Sequence, residues 1–542
     1  MFRLLPPREL RVVVLVCRRW REVGEAPVLW ASLLLTLGES NHRCLGAARL
    51  AGVRRVRVTS VAPEVLGAVL AHPGLTQVTL EPTLTLGDAD PALLGSLVAR
   101  METVEMAKVA DKRLKCMNYS QLKIFSSMVS KSTSLKALTM NNRNLAGVSP
   151  PLLADILGGL VEAHFRDVEL TEAQASTVCS RLAEGSRLET LVLSSNRLEA
   201  VPAEDLAMAV REVTSLNLAN TKLTPLQTIT LFKFLDKSSS LKELTIGLNN
   251  LGAVEARTIA SVIGKLKVVQ MREGGVTTEQ WTAIFTTIST LPAKGLQADF
   301  SNNSLAKVSH ALLSAAVVKM EKVKLMSTKL TKTQSSAIIN SICHNYEEIK
   351  ELNIMFNNLS GVDPVYLAIA ARKLVRLNLG WTRLKTTHLD NIFERLSQQD
   401  VKLQELRLSG IDMRHVEAKV LARVVNKLSL ADLNFTHLQA HQLMALFCKM
   451  KEKTKLRELI LSSNNLSEVD SASIGDAVQK LEVVNLCETS LTSRQALAIL
   501  NHSKKFTKLK SIDLRKNKLE VDMDEENFTV VKNSDKKVNI MF

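Results

Sequence analysis

Aromatic residues make up only 4% of this 542-residue chain, which also holds just 22 Gly and 13 Pro. So little turn punctuation argues against a β-sandwich, while 46% apolar content is too high for a disordered chain. Long apolar runs are lacking as well. The best candidate near the start, residues 12–17, is six residues long and runs into Arg18-Arg19-Trp20-Arg21, far short of the roughly 18 residues of a membrane span. The expectation is a chain with neither membrane segment nor signal peptide. Cysteines are few and dispersed: Cys17, Cys44, Cys116, Cys179, Cys343, Cys448 and Cys487 form no CxxC pair. They read as reduced thiols of a cytoplasmic or nuclear protein, without a disulfide framework.

Catalytic signatures are missing too. There is no GxxxxGK[ST], no GxGxxG after a strand and no GxSxG, so no nucleotide site or elbow nucleophile is expected. His437, His441 and Cys448 have part of a metal-ligand spacing, but His437 falls inside a repeated motif. His415-x-Glu417 has no Pro-Cys-x-x-Cys after it. The acidic run Asp522, Asp524, Glu525, Glu526 lacks the glycine and ligand spacing of a calcium loop. The reading is a non-enzyme with no cofactor and no metal. Net charge is +16, from 70 Lys+Arg against 54 Asp+Glu, which favours acidic partners. Most of the lysines fall between predicted strands, where a solvated convex face would put them, so nucleic acid is not the expected partner.

What is abundant is a repeat. From residue 135 onward the chain recurs as an apolar residue, two variable ones, apolar-x-apolar, two variable ones, then Asn or Thr and a further leucine. The clearest copies are 188–198 (LETLVLSSNRL), 241–251 (LKELTIGLNNL), 349–359 (IKELNIMFNNL), 456–466 (LRELILSSNNL) and 509–519 (LKSIDLRKNKL). Copies ending in Thr alternate with them, at 213–223, 320–330, 374–384 and 481–491. First positions step by 25 and then by 28 or 29, so the true unit is a pair. The Asn positions show it: Asn196, Asn249, Asn303, Asn357, Asn464 and Asn517 lie 53 or 54 apart, with Ile411 filling one rung and Arg143 beginning the ladder. Three degenerate copies precede them, at Val53-x-x-Val56-x-Val58, Leu75-x-x-Val78-x-Leu80 and Met101-x-x-Val104-x-Met106, for about eighteen turns in all.

Each unit reads as a short strand that buries alternate side chains, followed by a segment with helical apolar spacing, such as 226–235 or 367–374. The Asn or Thr falls where the chain leaves the strand and can bond backbone groups left unpaired by the turn. Over roughly 45–520 the chain resembles the ribonuclease-inhibitor-like class of leucine-rich repeats, which implies an α/β horseshoe solenoid. The expected organisation is degenerate leading repeats over 45–130, the array with paired units over 131–520 and a polar cap over 521–542.

Residues 1–40 stand apart. They read Leu5-Pro6-Pro7-Arg8-Glu9-Leu10, then Leu15-Val16-Cys17-Arg18-Arg19-Trp20, then Leu29-Trp30. A leucine-proline turn, a helix ending in Val-Cys-Arg-x-Trp and a following Leu-Trp, in that order, resemble an F-box. The family pattern opens with a further Leu-Pro-x-Glu segment and first helix, so the expectation is a truncated, helical F-box-like segment. The resemblance implies that Leu5, Pro6, Leu10, Val16, Cys17, Trp20, Leu29 and Trp30 contact the Skp adaptor of a cullin-RING ubiquitin ligase. The chain would then be a substrate-recognition subunit of that ligase. The alternative is a stand-alone repeat scaffold or inhibitor in which these apolar residues only cap the solenoid.

In such a horseshoe the variable residues beside the strand's apolar pair face the concave surface. Units starting at 320, 349, 374, 403 and 428 put Met326, Met355, Phe356, Trp381, Arg407, Asp432 and Phe435 there, where other units carry mostly Ser, Asn, Glu and Thr. Clustered Trp, Phe, Met and Arg are common anchors of protein interfaces, so these seven form the expected site for a protein target. The alternative is that the three aromatics fold over the strand ends to fill gaps beside small neighbours.

Overall fold

A computed structural model describes residues 33–46, 50, 52–106, 117–292, 295–344, 349–450, 454–501, 508–517 and 539–541. The chain divides into two units, residues 1–276 and 277–542. Both are α/β leucine-rich-repeat solenoids, as the repeat pattern predicts.

In the first unit the strands Leu34–Leu37, Arg55–Val58, Gln77–Leu80, Thr103–Glu105, Ala137–Thr139, Glu162–His164, Thr190–Val192, Ser215–Asn217, Glu243–Thr245 and Val268–Gln270 pair in parallel, each with the next. The three degenerate copies all carry strands, and Leu34–Leu37 adds a rung before them. The second unit repeats the arrangement from Leu296–Asp299 through Arg376–Asn378, Glu405–Arg407 and Leu430–Asp432 to Ser511–Asp513. Asn539–Met541 pairs with the last of these as a further rung.

The register follows from burial. In x-Leu-x strands the central residue is enclosed, as at Leu191, Leu216 and Leu244, while its neighbours remain partly open. One face of each sheet is therefore covered by helices and the other is open. The helix Pro225–Lys237 shows why the covering layer forms. Pro225 presets the first turn, Leu231, Phe232 and Leu235 share a buried face, and Thr224 and Gln227 close a capping box.

That glutamine has a second task. Gln227 Nε2 donates to the carbonyls of Leu198 and Val201 in the preceding repeat, at 2.7 and 2.6 Å. Gln174, Gln334, Gln442 and Gln495 do the same, each spanning two carbonyls of the repeat before it. At the corresponding rung His388 replaces glutamine, accepting from Lys385 N at Nδ1 and reaching Val362 O through Nε2.

The Asn ladder completes the stitching. Asn196 donates to Phe165 O and Leu193 O at 2.7 and 2.9 Å and accepts from Val168 N and Leu170 N. Asn249, Asn357, Asn464 and Asn517 each bond the repeat before them in the same way. Arg143 takes over at its own rung, where Nε reaches Met106 O at 2.8 Å. Ile411 supplies no side-chain polar group, and there the Thr382 hydroxyl bonds Leu379 O within its own turn.

Cys44, Cys179, Cys343, Cys448 and Cys487 are free thiols. Burial, with Asp205 nearby, pushes the Cys179 thiol up to about 12, so it stays protonated and enclosed at neutral pH. In native protein an alkylating reagent at about pH 8 should modify the exposed Cys44 and Cys448 and leave Cys179 intact until denaturant is added. Peptide mass mapping reads this out, and rapid native labelling of Cys179 would contradict the packing. No described helix is long and apolar enough to cross a membrane.

Candidate binding site

The turn at each strand exit determines what the repeats can present. From the repeat starting at 135 onward, the backbone seven residues after each first position is left-handed, as at Ser195, Asn220, Asn302 and Ser463, with φ between 56° and 60°. Thr-type repeats add a second left-handed residue two positions later: Glu169, Lys222, Lys329, Arg383, His437 and Ser490. This conformation suits Gly, Asn and Asp and strains bulky side chains. Yet four consecutive repeats carry Phe356, Trp381, Gly410 and Phe435 at the first of these positions, with φ of 59°, 56°, 69° and 54°. Retaining large rings where small polar residues fit better is strain of the kind found at binding surfaces.

The rings form one stack. Phe356 lies 6.0 Å from Trp381 at an interplanar angle of 13°, and Trp381 lies 5.5 Å from Phe435 at 21°. Trp381 reaches Phe435 across an intervening repeat because Gly410 leaves the space: any Cβ there would collide with the indole. The three aromatics remain 51%, 40% and 42% exposed. Trp381 thus covers Gly410 and still faces solvent.

Beside the stack the open sheet face is polar and paired. Parallel register sets Glu351, Arg376 and Glu405 side by side. Arg376 donates to Glu405 at 2.7 Å and to Glu351 at 3.5 Å, and the Glu405 bond raises the Arg376 guanidinium above its usual range. Arg407 faces Asp432 at 3.7 Å. Met355 is half-buried, its Sδ accepting from Asn378 Nδ2 at 3.7 Å, and Met326 is half-buried one repeat earlier. The seven expected residues thus fall on neighbouring repeats of one unit, the aromatics along the strand-exit edge and the charged pair on the sheet face.

Three further residues escaped the sequence reading. A notch of about 540 Å³ opens at the stack, lined by Phe356, Trp381, Gly410, Asn358, Lys329 and Arg383. Lys329 and Arg383 occupy the second left-handed position and Gly410 the first, a register visible only once the turns are known. Below, Arg414 forks onto Asp412 at 2.6 to 3.1 Å, and these hydrogen bonds hold the carboxyl down at about 2. Exposed His437 packs against Phe435 at 5.0 Å, outside the helix Ala440–Met450 that carries His441 and Cys448. Among the described residues no group of three or more His, Cys, Asp or Glu could hold a metal ion.

The F-box-like positions Leu5, Pro6, Leu10, Val16, Cys17, Trp20, Leu29 and Trp30 lie outside the described residues. Family models reach them. An F-box-like model matches residues 2–36, and a Leucine Rich Repeat model matches residues 455–477, which hold the strand Glu458–Ile460 and Asn464. No curated protein matches the chain. An F-box-like segment at the N-terminus and a leucine-rich repeat within the solenoid that follows match the domain content of F-box and leucine-rich-repeat proteins.

Proposed function

We propose that the chain is the substrate-recognition subunit of a Skp/cullin/F-box ubiquitin ligase. The match of residues 2–36 to the F-box-like model, ahead of a repeat array, carries this reading. Both parts are binding modules. The N-terminal segment docks on the Skp adaptor through Trp20, Leu29 and their neighbours. The repeats hold a protein target at the Phe356–Trp381–Phe435 stack and the sheet face beside it. The chain contributes by proximity, since holding a substrate lysine near an enzyme supplied by the complex turns an encounter between separate molecules into a local one.

The test is a pulldown of purified Skp adaptor with the full chain and with a Trp20→Ala/Leu29→Ala variant, both checked for folding by circular dichroism. Retention of the adaptor by the parent and at least about tenfold weaker retention by the folded variant is expected, because a few aromatic anchors such as tryptophan carry much of the energy of such interfaces. No retention by the parent chain would replace the ligase role with that of a stand-alone binding scaffold.

A further inference from the structure

We infer that the strand-exit notch takes an acidic peptide segment, with an apolar side chain against Phe356 and Trp381 and a neighbouring carboxylate between Lys329 and Arg383. This rests on the reading of the repeats as a protein-binding array and names the chemistry of what they bind.

Charge sets the first requirement. Lys329 and Arg383 line the notch together with the exposed rings, and no carboxylate does. Neither cation is joined to an acid among the described residues, although most charged groups nearby are. Arg376 is held by two glutamates, Arg407 by Asp432 and Arg414 by Asp412. Both are therefore open to an incoming negative charge, on a chain of net charge +16.

The rings set the second. Their edges, with the indole seated over Gly410, make an apolar surface whose shape does not depend on a partner, since Trp381 is already held between Phe356 and Phe435. A preformed anchor pocket lowers the ordering cost of binding. The same stacking disfavours single-stranded nucleic acid, which needs open ring faces and a continuous basic track. Here the Trp381 ring is sandwiched, and the adjoining strip alternates Glu351, Arg376, Glu405, Arg407 and Asp432.

The array supplies its own control substitutions. Asn already occupies the Phe356 position as Asn142 and Asn302, and Glu169 and Ser490 occupy the position of Lys329 and Arg383. Phe356→Asn and Lys329→Glu/Arg383→Ser therefore leave the turn intact, which thermal melting verifies.

The probe is an array of short peptides in a Gly-Ser background, each with one Phe, Leu or Trp flanked by Glu, by Lys or by Ser, together with Glu-flanked Ala. Capture of the Glu-flanked apolar set by the full chain, weakened about tenfold or more in each variant, is expected. Equal capture of the Lys-flanked or Ser-flanked sets or of Glu-flanked Ala, no capture at all, or unchanged capture by the variants overturns the proposal. So does oligothymidylate that displaces the peptide with the same sensitivity to the variants, which would assign the notch to nucleic acid. Adaptor pulldown on the same variants separates the two ideas: peptide capture without adaptor binding fails the ligase reading alone, and adaptor binding without peptide capture fails this one alone.

Discussion

Asn464→Ala should destabilise the second unit by about 3–5 kcal/mol, more than a surface substitution of similar size would. The side chain is buried and satisfies groups in two repeats at once. Its Oδ1 accepts from Leu438 N at 3.0 Å and from the Thr436 hydroxyl, and its Nδ2 donates to Leu433 O and Leu461 O at 2.7 and 2.9 Å. Alanine leaves the Leu438 N–H with no acceptor in a place water does not reach, which costs roughly 1–3 kcal/mol. The two carbonyls keep one bond each, from the Thr436 hydroxyl and the Asn464 N–H, so their losses are nearer 1 kcal/mol apiece. Because stability in a repeat array is a sum of local and neighbour contributions, the loss should be local. Urea melts should shift to a lower midpoint, and hydrogen exchange should quicken first at Leu438 and the strand Leu430–Asp432. A shift below about 1 kcal/mol would mean that the turn relaxes to expose these groups, and that the Asn ladder is dispensable.

Trp281→Ala should be comparably damaging, at about 3–5 kcal/mol. Trp281 is fully enclosed in the helix Thr278–Thr290, 5.6 Å from Phe285 and 5.0 Å from Phe300, with the two phenylalanines themselves in edge-to-face contact at 5.6 Å. Truncation opens a cavity among rings that cannot collapse into it without breaking their mutual geometry. The indole Nε1 has no hydrogen-bond partner among the described residues, so Trp281→Phe removes an unpaired polar atom along with some volume. It should cost less than half as much as alanine. Equal losses for the two variants would show that the N–H is bonded after all, for instance to an enclosed water.

Much of this fold is legible in the sequence because the same physical problem recurs at a constant interval. Leu191, Leu216 and Leu244 announce the strands, and the spacing of the Asn residues announces which turns they seal. The glutamine ladder is equally visible there. Thr171 with Gln174, Thr224 with Gln227, Thr331 with Gln334 and Thr492 with Gln495 are capping boxes on the same period as the Asn residues. Their second role, spanning carbonyls of the preceding repeat, depends on how close adjacent turns lie. The candidate site was half legible. Phe356, Trp381 and Phe435 stand out in an aromatic-poor chain. Lys329, Arg383 and Gly410 do not, since their importance comes from left-handed backbone at two positions of the turn and from a missing Cβ beneath an indole.

The direction of the buried amide bonds gives each unit a grain. Asn464 seals the turn of the repeat starting at 428, Gln442 the turn of the one starting at 403, and each such side chain looks backward along the chain. A cut that removes later repeats strips partners from backbone groups that stay behind in the interior of the last turn. A cut that removes earlier repeats leaves only amide side chains facing a newly opened end, where water serves them as well as the lost carbonyls did. Shortened forms trimmed from the front of a unit should therefore tolerate the loss better than those trimmed from its rear, and a designed cap matters most at the trailing end.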